Sequence, residues 1–344
     1  MLEFYSKRKM WGLQRVYQET IKFDKIIKEV FEDTKKQEDI NCPTAIFAYG
    51  SPGRYELTGG DSDADILIAE PIISKESEKL KNSLKQRWNA FDFSKIDIPP
   101  WSTYSEIETF SRISLVEGNQ VLETRYICGD DDVMRKVEEI KKKYDSPYRE
   151  VINIIFNKLY FNQYFKQRTR NGARNIKYCN GGTRDFLFFY WYDRLCRKIN
   201  GEDVSLCGLK QPKIKDGLER LMMEGSIKGE QFGKIMEAVN GIIELRTDAL
   251  IVNRGTNERG ISVLDSDLVE RLQKDLGYPD KKIIDNFFEY ATTSIDYGIN
   301  IIWKNMIEKC SSFYGKEWAE HIESASSPHT QQEQRMKIPD NDTP

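Results

Sequence analysis

Histidine is scarce in this 344-residue chain. Only His321 and His329 occur, both near the C-terminal end. A zinc centre or a nucleophile that depends on histidine therefore cannot lie in the body of the chain. The six cysteines are scattered and form no C-x-x-C pair, which argues against a zinc ribbon. Scattered cysteines are typical of reduced thiols in a cytoplasmic protein.

Long apolar runs and an excess of positive charge are also missing. No apolar run approaches the roughly 20 residues of a membrane helix, and the N-terminus has no apolar signal core. We therefore expect a cytoplasmic protein without a membrane partner. The net charge is −3, so the chain has no overall positive charge that would indicate nucleic-acid binding. A local basic groove remains an alternative.

The length and the pattern of the chain predict two domains of different class. Up to residue 98 short apolar runs alternate with helical patterns. The expected elements are a helix over 1–40, strands at 45–49 and 65–69, a helix over 74–90 capped by Ser74, and a strand at 91–98.

After about residue 145 the pattern becomes helical. Helices are expected within 147–168, after Gly181-Gly182 with Thr183 as the cap, within 212–252 and within 266–310. The helix after Gly181-Gly182 is heavily aromatic, which predicts burial. The predicted fold is α+β, a small mixed-sheet domain followed by an all-helical domain. The predicted ranges are a helical segment 1–40, the sheet domain 41–145, the helical domain 146–324 and a disordered tail 325–344.

Two carboxylates open the second predicted strand. Asp63 and Asp65 would project from one face of it, about 6.5–7 Å apart. Like charges on one face repel each other unless a cation lies between them. Oxygen ligands suit Mg²⁺ or Mn²⁺, which commonly complete their shell with water and substrate phosphate. A solvated turn is the plainer interpretation of such a D-x-D sequence taken alone.

A glycine-serine turn closes the first predicted strand. The backbone at Gly50 allows an anion to approach closely, and the Ser51 hydroxyl can donate to a phosphate oxygen. The charged guanidinium of Arg54 can donate two parallel hydrogen bonds to a phosphate group. The chain has neither a G-x-x-x-x-G-K-[ST] P-loop nor a G-x-G-x-x-G after a strand. The turn and the carboxylates together predict a site for a metal-bound nucleoside triphosphate.

These residues resemble a known motif. GSPGRYE at 50–56, followed by SDADI at 62–66, resembles the signature of the DNA polymerase β-type nucleotidyltransferase superfamily. The residues of this motif are most similar to those in the amino-terminal part of bacterial PII uridylyltransferases and their stand-alone relatives. Three further stretches resemble that branch: VLETRYICGD at 121–130, NIKYCNGGTRDFLFFYWY at 175–192 and DLGYPDKK at 275–282.

The sequence also departs from that branch. Tyr55 stands where the family often has glycine. Full-length members continue into an HD phosphohydrolase domain and two sensing domains, whereas this sequence ends first. Without histidines in its body, an HD-type hydrolase that removes the modification is excluded, and a built-in glutamine sensor is not expected.

The resemblance implies a two-metal nucleotidyl transfer. Asp63 and Asp65 would be metal ligands, and a third carboxylate from a later strand would hold the acceptor-side metal and help to take the hydroxyl proton. Asp97 is the candidate for that carboxylate, with Asp92 as its rival. Glu56 would pair with Arg54 or orient it. The implied nucleotide-binding residues are Gly50, Ser51, Arg54, Lys177, Arg184 and Asp185.

For Arg184 and Asp185 the implied roles are a phosphate contact and its orienter, and an ordinary salt bridge is the alternative. The implied activity moves a nucleoside monophosphate from UTP or ATP to a hydroxyl of a protein, with a PII-like signalling protein as one candidate acceptor. Transfer to RNA, such as tRNA, or to a small molecule stays open, as does a catalytically silent nucleotide-binding regulator.

Overall fold

The computed structural model describes residues 1–57, 63–88, 95–113, 115–156, 158, 174–202, 204, 211–253 and 263–316. Asp92 and the predicted disordered tail lie outside these residues, and the predicted domain boundaries stay predictions. The fold is α+β. Among the described residues, no helix combines the length and the apolarity that crossing a membrane requires.

The N-terminal segment contains two helices instead of the one expected. Helix α1 covers Leu2–Ser6 and α2 covers Leu13–Gln37. The break lies at Gly12, whose φ is +59° and whose N–H donates to Oε2 of Glu244 at 3.0 Å. Helix α1 ends at Ser6, and the positive φ of Gly12 separates the intervening residues from the start of α2.

Four strands form one mixed sheet within the described part of the chain. They are β1 Ala45–Ala48, β2 Asp63–Ala69, β3 Lys95–Asp97 and β4 Arg125–Gly129. The order is β3-β2-β1-β4, with β1 antiparallel to both neighbours and β2 parallel to β3. The strands at 45–49 and 65–69 are confirmed, and β3 lies within the range 91–98 in which a strand was expected.

Strand β4 was not expected from the sequence, because it begins on a charged residue. Arg125 is nevertheless buried, and it donates two hydrogen bonds of 2.8 Å to the carboxylate of Asp24 on α2. Two charge-assisted hydrogen bonds to one carboxylate offset the cost of burying the arginine in a strand. Sequence patterns cannot show that pairing, since the partners are 101 residues apart.

Helices cover both faces of the sheet. Ile46 packs in a core with Phe23 of α2, whereas the next residue, Phe47, packs in another core with Ile107. Because both faces are buried, the strands are continuously apolar. The helices on this half of the molecule are α3 Gly50–Gly53, α4 Lys75–Trp88, α5 Tyr104–Ile113, α6 Leu115–Leu122 and α7 Asp131–Tyr144. Ser74 caps α4 as expected, since its hydroxyl accepts the Ser77 N–H at 3.0 Å.

The later elements are helical, as the sequence pattern predicts. They are α8 Pro147–Phe156, a 3₁₀ turn Thr183–Phe186, α9 Leu187–Ile199, α10 Lys213–Met223, α11 Gly229–Val252, α12 Ser266–Leu276 and α13 Lys281–Tyr314. The aromatic helix α9 is buried as expected. The prediction that Thr183 caps it is wrong: the chain enters through the 3₁₀ turn, and the Thr183 hydroxyl accepts from Arg246 at 3.1 Å.

Candidate active site

Two carboxylates lie side by side on neighbouring strands. Asp65 of β2 is the direct register partner of Asp97 of β3 in the parallel pair. Neighbouring strands are about 4.8 Å apart, and register partners in a sheet present their side chains on the same face. Asp65 is half-buried and Asp97 is exposed. The sheet thus presents two oxygen-donor groups together, with Asp97 on the side open to solvent.

Asp63 begins the same strand, opposite Lys95, and the structure describes it through its backbone only. Among the described residues, no group of three or more histidine, cysteine, aspartate or glutamate side chains is arranged to hold a metal ion. The pair Asp65 and Asp97 nevertheless supplies adjacent carboxylate oxygens, the donor type that Mg²⁺ and Mn²⁺ prefer. The residues present therefore fit a hard divalent cation in donor chemistry.

Gly50 lies directly against this pair. Its φ is +60°, and a Cβ added there would come within 3.0 Å of Oδ2 of Asp65, closer than real Cβ atoms approach. Both the backbone conformation and the space thus require glycine. The one-turn helix α3 begins at this residue, so the backbone of the turn is placed at the Asp65 carboxylate.

Tyr49 was not predicted to belong to the site, yet it lies beside both carboxylates. Its backbone N–H donates to the Asp65 carbonyl oxygen at 3.1 Å. Burial raises the pKa of the Tyr49 phenol above its usual value, and the charges of Asp65 and Asp97 raise it further. The phenol therefore stays neutral next to the pair. In the sequence it ends an apolar run, and nothing in that run distinguishes it from a core residue.

The loop that carries the glycine-serine turn, residues 50–57, is called the Gly-Ser loop here. Its Arg54 is buried and donates from Nε to Glu56 at 3.0 Å and from Nη1 to Glu123. The expected pairing of Arg54 with Glu56 is therefore present. Burial alone would lower the pKa of Arg54, but Glu123 and Glu56 outweigh it and raise that pKa. The guanidinium is permanently charged and is directed at two carboxylates.

Glu56 holds the far end of the Gly-Ser loop. It is buried, and the nearby backbone N–H of Ile214 in α10 acts to lower the pKa of its carboxyl group. Burial raises the pKa of Glu56 to about 7, against the opposing effect of Arg54. Physically, one guanidinium faces two buried carboxylates, so the excess negative charge favours a proton on one of them.

Tyr55 has an unusual backbone conformation for a residue that is not glycine. Its φ is +61°, in the left-handed region. The Arg125 guanidinium carbon lies 4.0 Å from the centre of the Tyr55 ring, and Nη2 of Arg125 donates to the Pro52 carbonyl oxygen at 3.0 Å. The same arginine that pairs with Asp24 therefore packs against the loop, and these contacts hold the strained residue in place.

The second predicted motif, G-G-x-R-D, forms a tight turn. The N–H of Gly181 donates to Oδ2 of Asp185 at 2.8 Å, and the N–H of Arg184 donates to the Lys177 carbonyl oxygen at 2.9 Å. Gly181 has a φ of +73° and packs against the backbone of Thr292 in α13, where a Cβ could not fit. Asp185 is thus the side chain that closes the turn carrying Arg184.

The two motifs come near each other through their arginines. Burial lowers the pKa of Arg184, and the positive charge of Arg54 lowers it further, so each guanidinium lies within the electrostatic range of the other. Ser51 is half-buried, and its carbonyl oxygen accepts the Glu56 N–H at 2.8 Å. Lys177 is half-buried, with its Nζ 5.2 Å from the ring centre of the adjacent Tyr178.

The predicted site residues therefore form two groups. The first is at the sheet: Gly50 with Asp65 and Asp97. The second is the G-G-x-R-D turn with Lys177, Arg184 and Asp185. The Gly-Ser loop contributes Gly50 to the first group, and its Arg54 lies within electrostatic range of Arg184 in the second.

Comparison with known proteins gives one distant similarity. No protein-family model matches the chain. An alignment of 153 residues, which covers 42% of this chain, shows 28% identity to the bifunctional uridylyltransferase/uridylyl-removing enzyme of Pasteurella multocida strain Pm70. The match covers 17% of that protein's length. This similarity supports a distant relationship to nucleotidyltransferases and no finer assignment.

Proposed function

We propose that this protein is a metal-dependent nucleotidyltransferase that moves a nucleoside monophosphate from a nucleoside triphosphate to a hydroxyl group. The observation that carries the proposal is the register pairing of Asp65 with Asp97 directly against Gly50. Paired carboxylates at a glycine turn combine oxygen ligands for a cation with a backbone that can approach phosphate. The similarity to a protein named as a uridylyltransferase supports the same chemistry.

The carboxylates would hold the metal, and the glycine turn would hold the phosphates. Asp63, Asp65 and Asp97 are the proposed ligands. Two Mg²⁺ or Mn²⁺ ions bound there would neutralise the triphosphate and make the acceptor hydroxyl more acidic. Gly50 would allow the triphosphate to lie close to the backbone, and the Ser51 hydroxyl would donate to a phosphate oxygen.

The proposed transfer forms one bond at the α-phosphorus and breaks another. The acceptor oxygen bonds to the α-phosphorus, the bond from that phosphorus to the bridging oxygen breaks, and pyrophosphate leaves. Asp97 would take the hydroxyl proton, which its exposed position beside Asp65 favours. Lys177 and Arg184 would contact the triphosphate, and Asp185 would hold the turn that carries Arg184. The sequence suggested Arg54 as a phosphate contact, but its guanidinium already donates to two carboxylates of the protein, Glu56 and Glu123.

A protein hydroxyl is the proposed acceptor, and UTP or ATP is the proposed donor. UTP follows the name of the similar Pasteurella protein, and a PII-like protein is the candidate acceptor that the sequence resemblance implies. The net charge of −3 disfavours an RNA acceptor, because a phosphate backbone is bound mainly through positive charge. The reaction would take place in the cytoplasm.

The proposal is tested by labelling. The purified protein, Mg²⁺ and each α-³²P-labelled nucleoside triphosphate are incubated in turn with a lysate of the source cells. The label is then fractionated into protein, RNA and small molecules. Asp65→Asn and Asp97→Asn are compared with Asp33→Asn, since Asp33 is an exposed aspartate of α2 remote from the sheet edge. Label in protein that persists only in Asp33→Asn supports the proposal and identifies the base.

The other outcomes assign other functions. Aspartate-dependent label in RNA or in small molecules changes the acceptor and keeps the chemistry. Label that survives both Asp65→Asn and Asp97→Asn overturns the assigned site. No label in any fraction, together with equilibrium binding of a magnesium-nucleotide complex, replaces the transferase with a catalytically silent nucleotide-binding regulator.

A further inference from the structure

We infer that Glu123 is a positioning residue for the Gly-Ser loop: it acts through Arg54 and holds the loop to the aromatic helix α9. The inference rests on the proposed function, because it concerns the same nucleotide site. It assigns Arg54 a role inside the protein where the sequence suggested a direct phosphate contact.

The contacts of Glu123 place it at a junction. Its side chain is 9% exposed. Oε2 accepts from Arg54 of the loop, and Oε1 accepts from the indole N–H of Trp191 in α9 at 3.4 Å. The Glu123 carbonyl oxygen also borders Gly53, where a Cβ would lie 2.5 Å from it. One residue thus contacts the backbone of the loop, the arginine of the loop and the aromatic helix.

A second helix holds the same loop from another side. The N–H of Lys213, at the start of α10, donates to the Arg54 carbonyl oxygen at 3.2 Å. The backbone N–H of the next residue, Ile214, lies close enough to the Glu56 carboxyl group to lower its pKa. The loop is therefore fixed by two helices that follow it by more than 130 residues in the chain, and Arg54 participates with both its side chain and its backbone.

The charges show why Glu123 matters most. Arg54 is buried with Glu56 and Glu123 as its acidic partners, and the positive charge of Arg184 lies within electrostatic range. If Glu123 became neutral, the buried Arg54 guanidinium would lose one of the two carboxylates to which it donates and would keep only Glu56. Removing one partner from a buried ion-pair cluster is destabilising, because the charge that stays is less well compensated. The loop carries Arg54, and its first residue, Gly50, lies against Asp65.

The direct alternative makes the opposite prediction. If Arg54 bound the triphosphate, neutralising Glu123 would release the guanidinium from a competing carboxylate, and nucleotide would bind more tightly. If Arg54 positions the loop, the same change disturbs the phosphate site, and nucleotide binds more weakly. The sign of the change in affinity therefore distinguishes the two roles.

The experiment measures the Kd of a fluorescent nucleoside triphosphate with Mg²⁺, well below the melting temperature and normalised to the bound stoichiometry. The variants are Glu123→Gln, the charge-preserving Glu123→Asp, and Trp191→Phe, which removes the indole donor and keeps an aromatic ring. The matched control is Glu70→Gln, because Glu70 is also a buried glutamate, is paired with Lys81, and follows the opposite end of β2.

We expect Glu123→Gln to weaken binding about 10- to 100-fold, since a displacement of about 1 Å at a site can cost that much. Glu123→Asp should recover part of the loss, Trp191→Phe should show a smaller one, and Glu70→Gln should retain the wild-type Kd. Unchanged or tighter binding in Glu123→Gln overturns the inference, and so does an equal loss in Glu70→Gln. Wild-type protein that binds no magnesium-nucleotide complex overturns the proposed function instead.

Discussion

Gly50 lies directly against the carboxylate of Asp65, with no room for a side chain between them. The contact joins the end of β1 to the second strand of the sheet. It is also the point where the turn proposed to bind phosphate meets the carboxylates proposed to bind metal. Gly50 therefore couples the geometry of the proposed phosphate-binding turn to that of the proposed metal-binding carboxylates.

We predict that Gly50→Ala lowers nucleotidyl transfer by about 100-fold or more, since the added methyl group must displace Asp65 or the turn. Transfer is measured with the labelled nucleotide that the wild-type protein uses. The control is Gly233→Ala in α11, where a Cβ would meet no atom within 4 Å. That variant should keep its activity and gain about 0.5–1 kcal/mol of stability from helix propensity. Equal activity in both alanine variants would contradict the tight placement of Gly50.

The second prediction concerns Tyr55, where two effects on stability oppose each other. Changing it to glycine relieves a left-handed backbone, worth about 1–2 kcal/mol. The same change removes a buried aromatic ring, worth about 3–5 kcal/mol, and the Arg125 cation–π contact, worth about 1 kcal/mol. Tyr55→Gly should therefore lower the free energy of unfolding by about 2–5 kcal/mol.

Urea denaturation measures this change, and Asp39→Gly is its matched control. Asp39 is the other described residue that has a positive φ without being glycine, at +50°, and it is exposed. Relief of strain without loss of contacts should raise its stability by about 0.5–1 kcal/mol. A stability gain in Tyr55→Gly would show that the strain outweighs the packing of the ring.

Much of the sheet could be predicted from the sequence, because its signals are local. Short apolar runs predict β1 and β2, the first of them closed by Gly50, and the two-residue spacing of Asp63 and Asp65 predicts a shared face. The candidate Asp97 followed from the family resemblance, which implies a third carboxylate on a later strand. Its register opposite Asp65 is consistent with that choice, whereas its chemical role stays a prediction.

The rest of the site depends on contacts between distant parts of the chain. Glu123 meets Arg54 across 69 residues and Trp191 across 68. A buried tryptophan in an aromatic helix carries no sign of a polar partner. The role of Arg54 shows the same limit: a basic residue after a glycine turn suggests a phosphate contact, and only the folded chain shows the two carboxylates that face it.

The third prediction is a pH dependence of stability that originates at Glu56. A glutamate in an unfolded chain has a pKa of about 4.3. In the folded protein burial raises the pKa of Glu56 to about 7, with Arg54, Glu123 and the Ile214 N–H as its neighbours. Between these values the folded chain retains a proton that the unfolded chain has released. The free energy of unfolding therefore falls as the pH rises from about 4.3 to about 7, and this contribution is constant above pH 7.

Urea denaturation at pH 5 and at pH 7.5, at constant ionic strength, tests this dependence. The wild-type protein should lose more stability between the two values than Glu56→Gln, by up to about 3 kcal/mol. Glutamine imitates the protonated carboxyl and cannot ionise. Equal losses in both proteins would mean that Glu56 is ionised over the whole range.

The fourth prediction decides between Asp97 and Asp92 as the third carboxylate. Asp97 pairs in register with Asp65, so its loss should remove an oxygen ligand next to one that stays. Asp97→Asn should lower transfer by about 100-fold or more and raise the Mn²⁺ concentration needed for half-maximal activity. Free Mn²⁺, followed by electron paramagnetic resonance in the presence of nucleotide, reports binding independently of turnover.

Asp92→Asn is the matched comparison, since it makes the same chemical change five residues earlier. With Asp97 as the ligand, Asp92→Asn should bind Mn²⁺ and transfer nucleotide like the wild-type protein. The reverse result, full activity in Asp97→Asn and loss in Asp92→Asn, would assign the ligand to Asp92. Asp97 would then contribute only its charge next to Asp65, and the proposed proton acceptor would have to be reassigned with it.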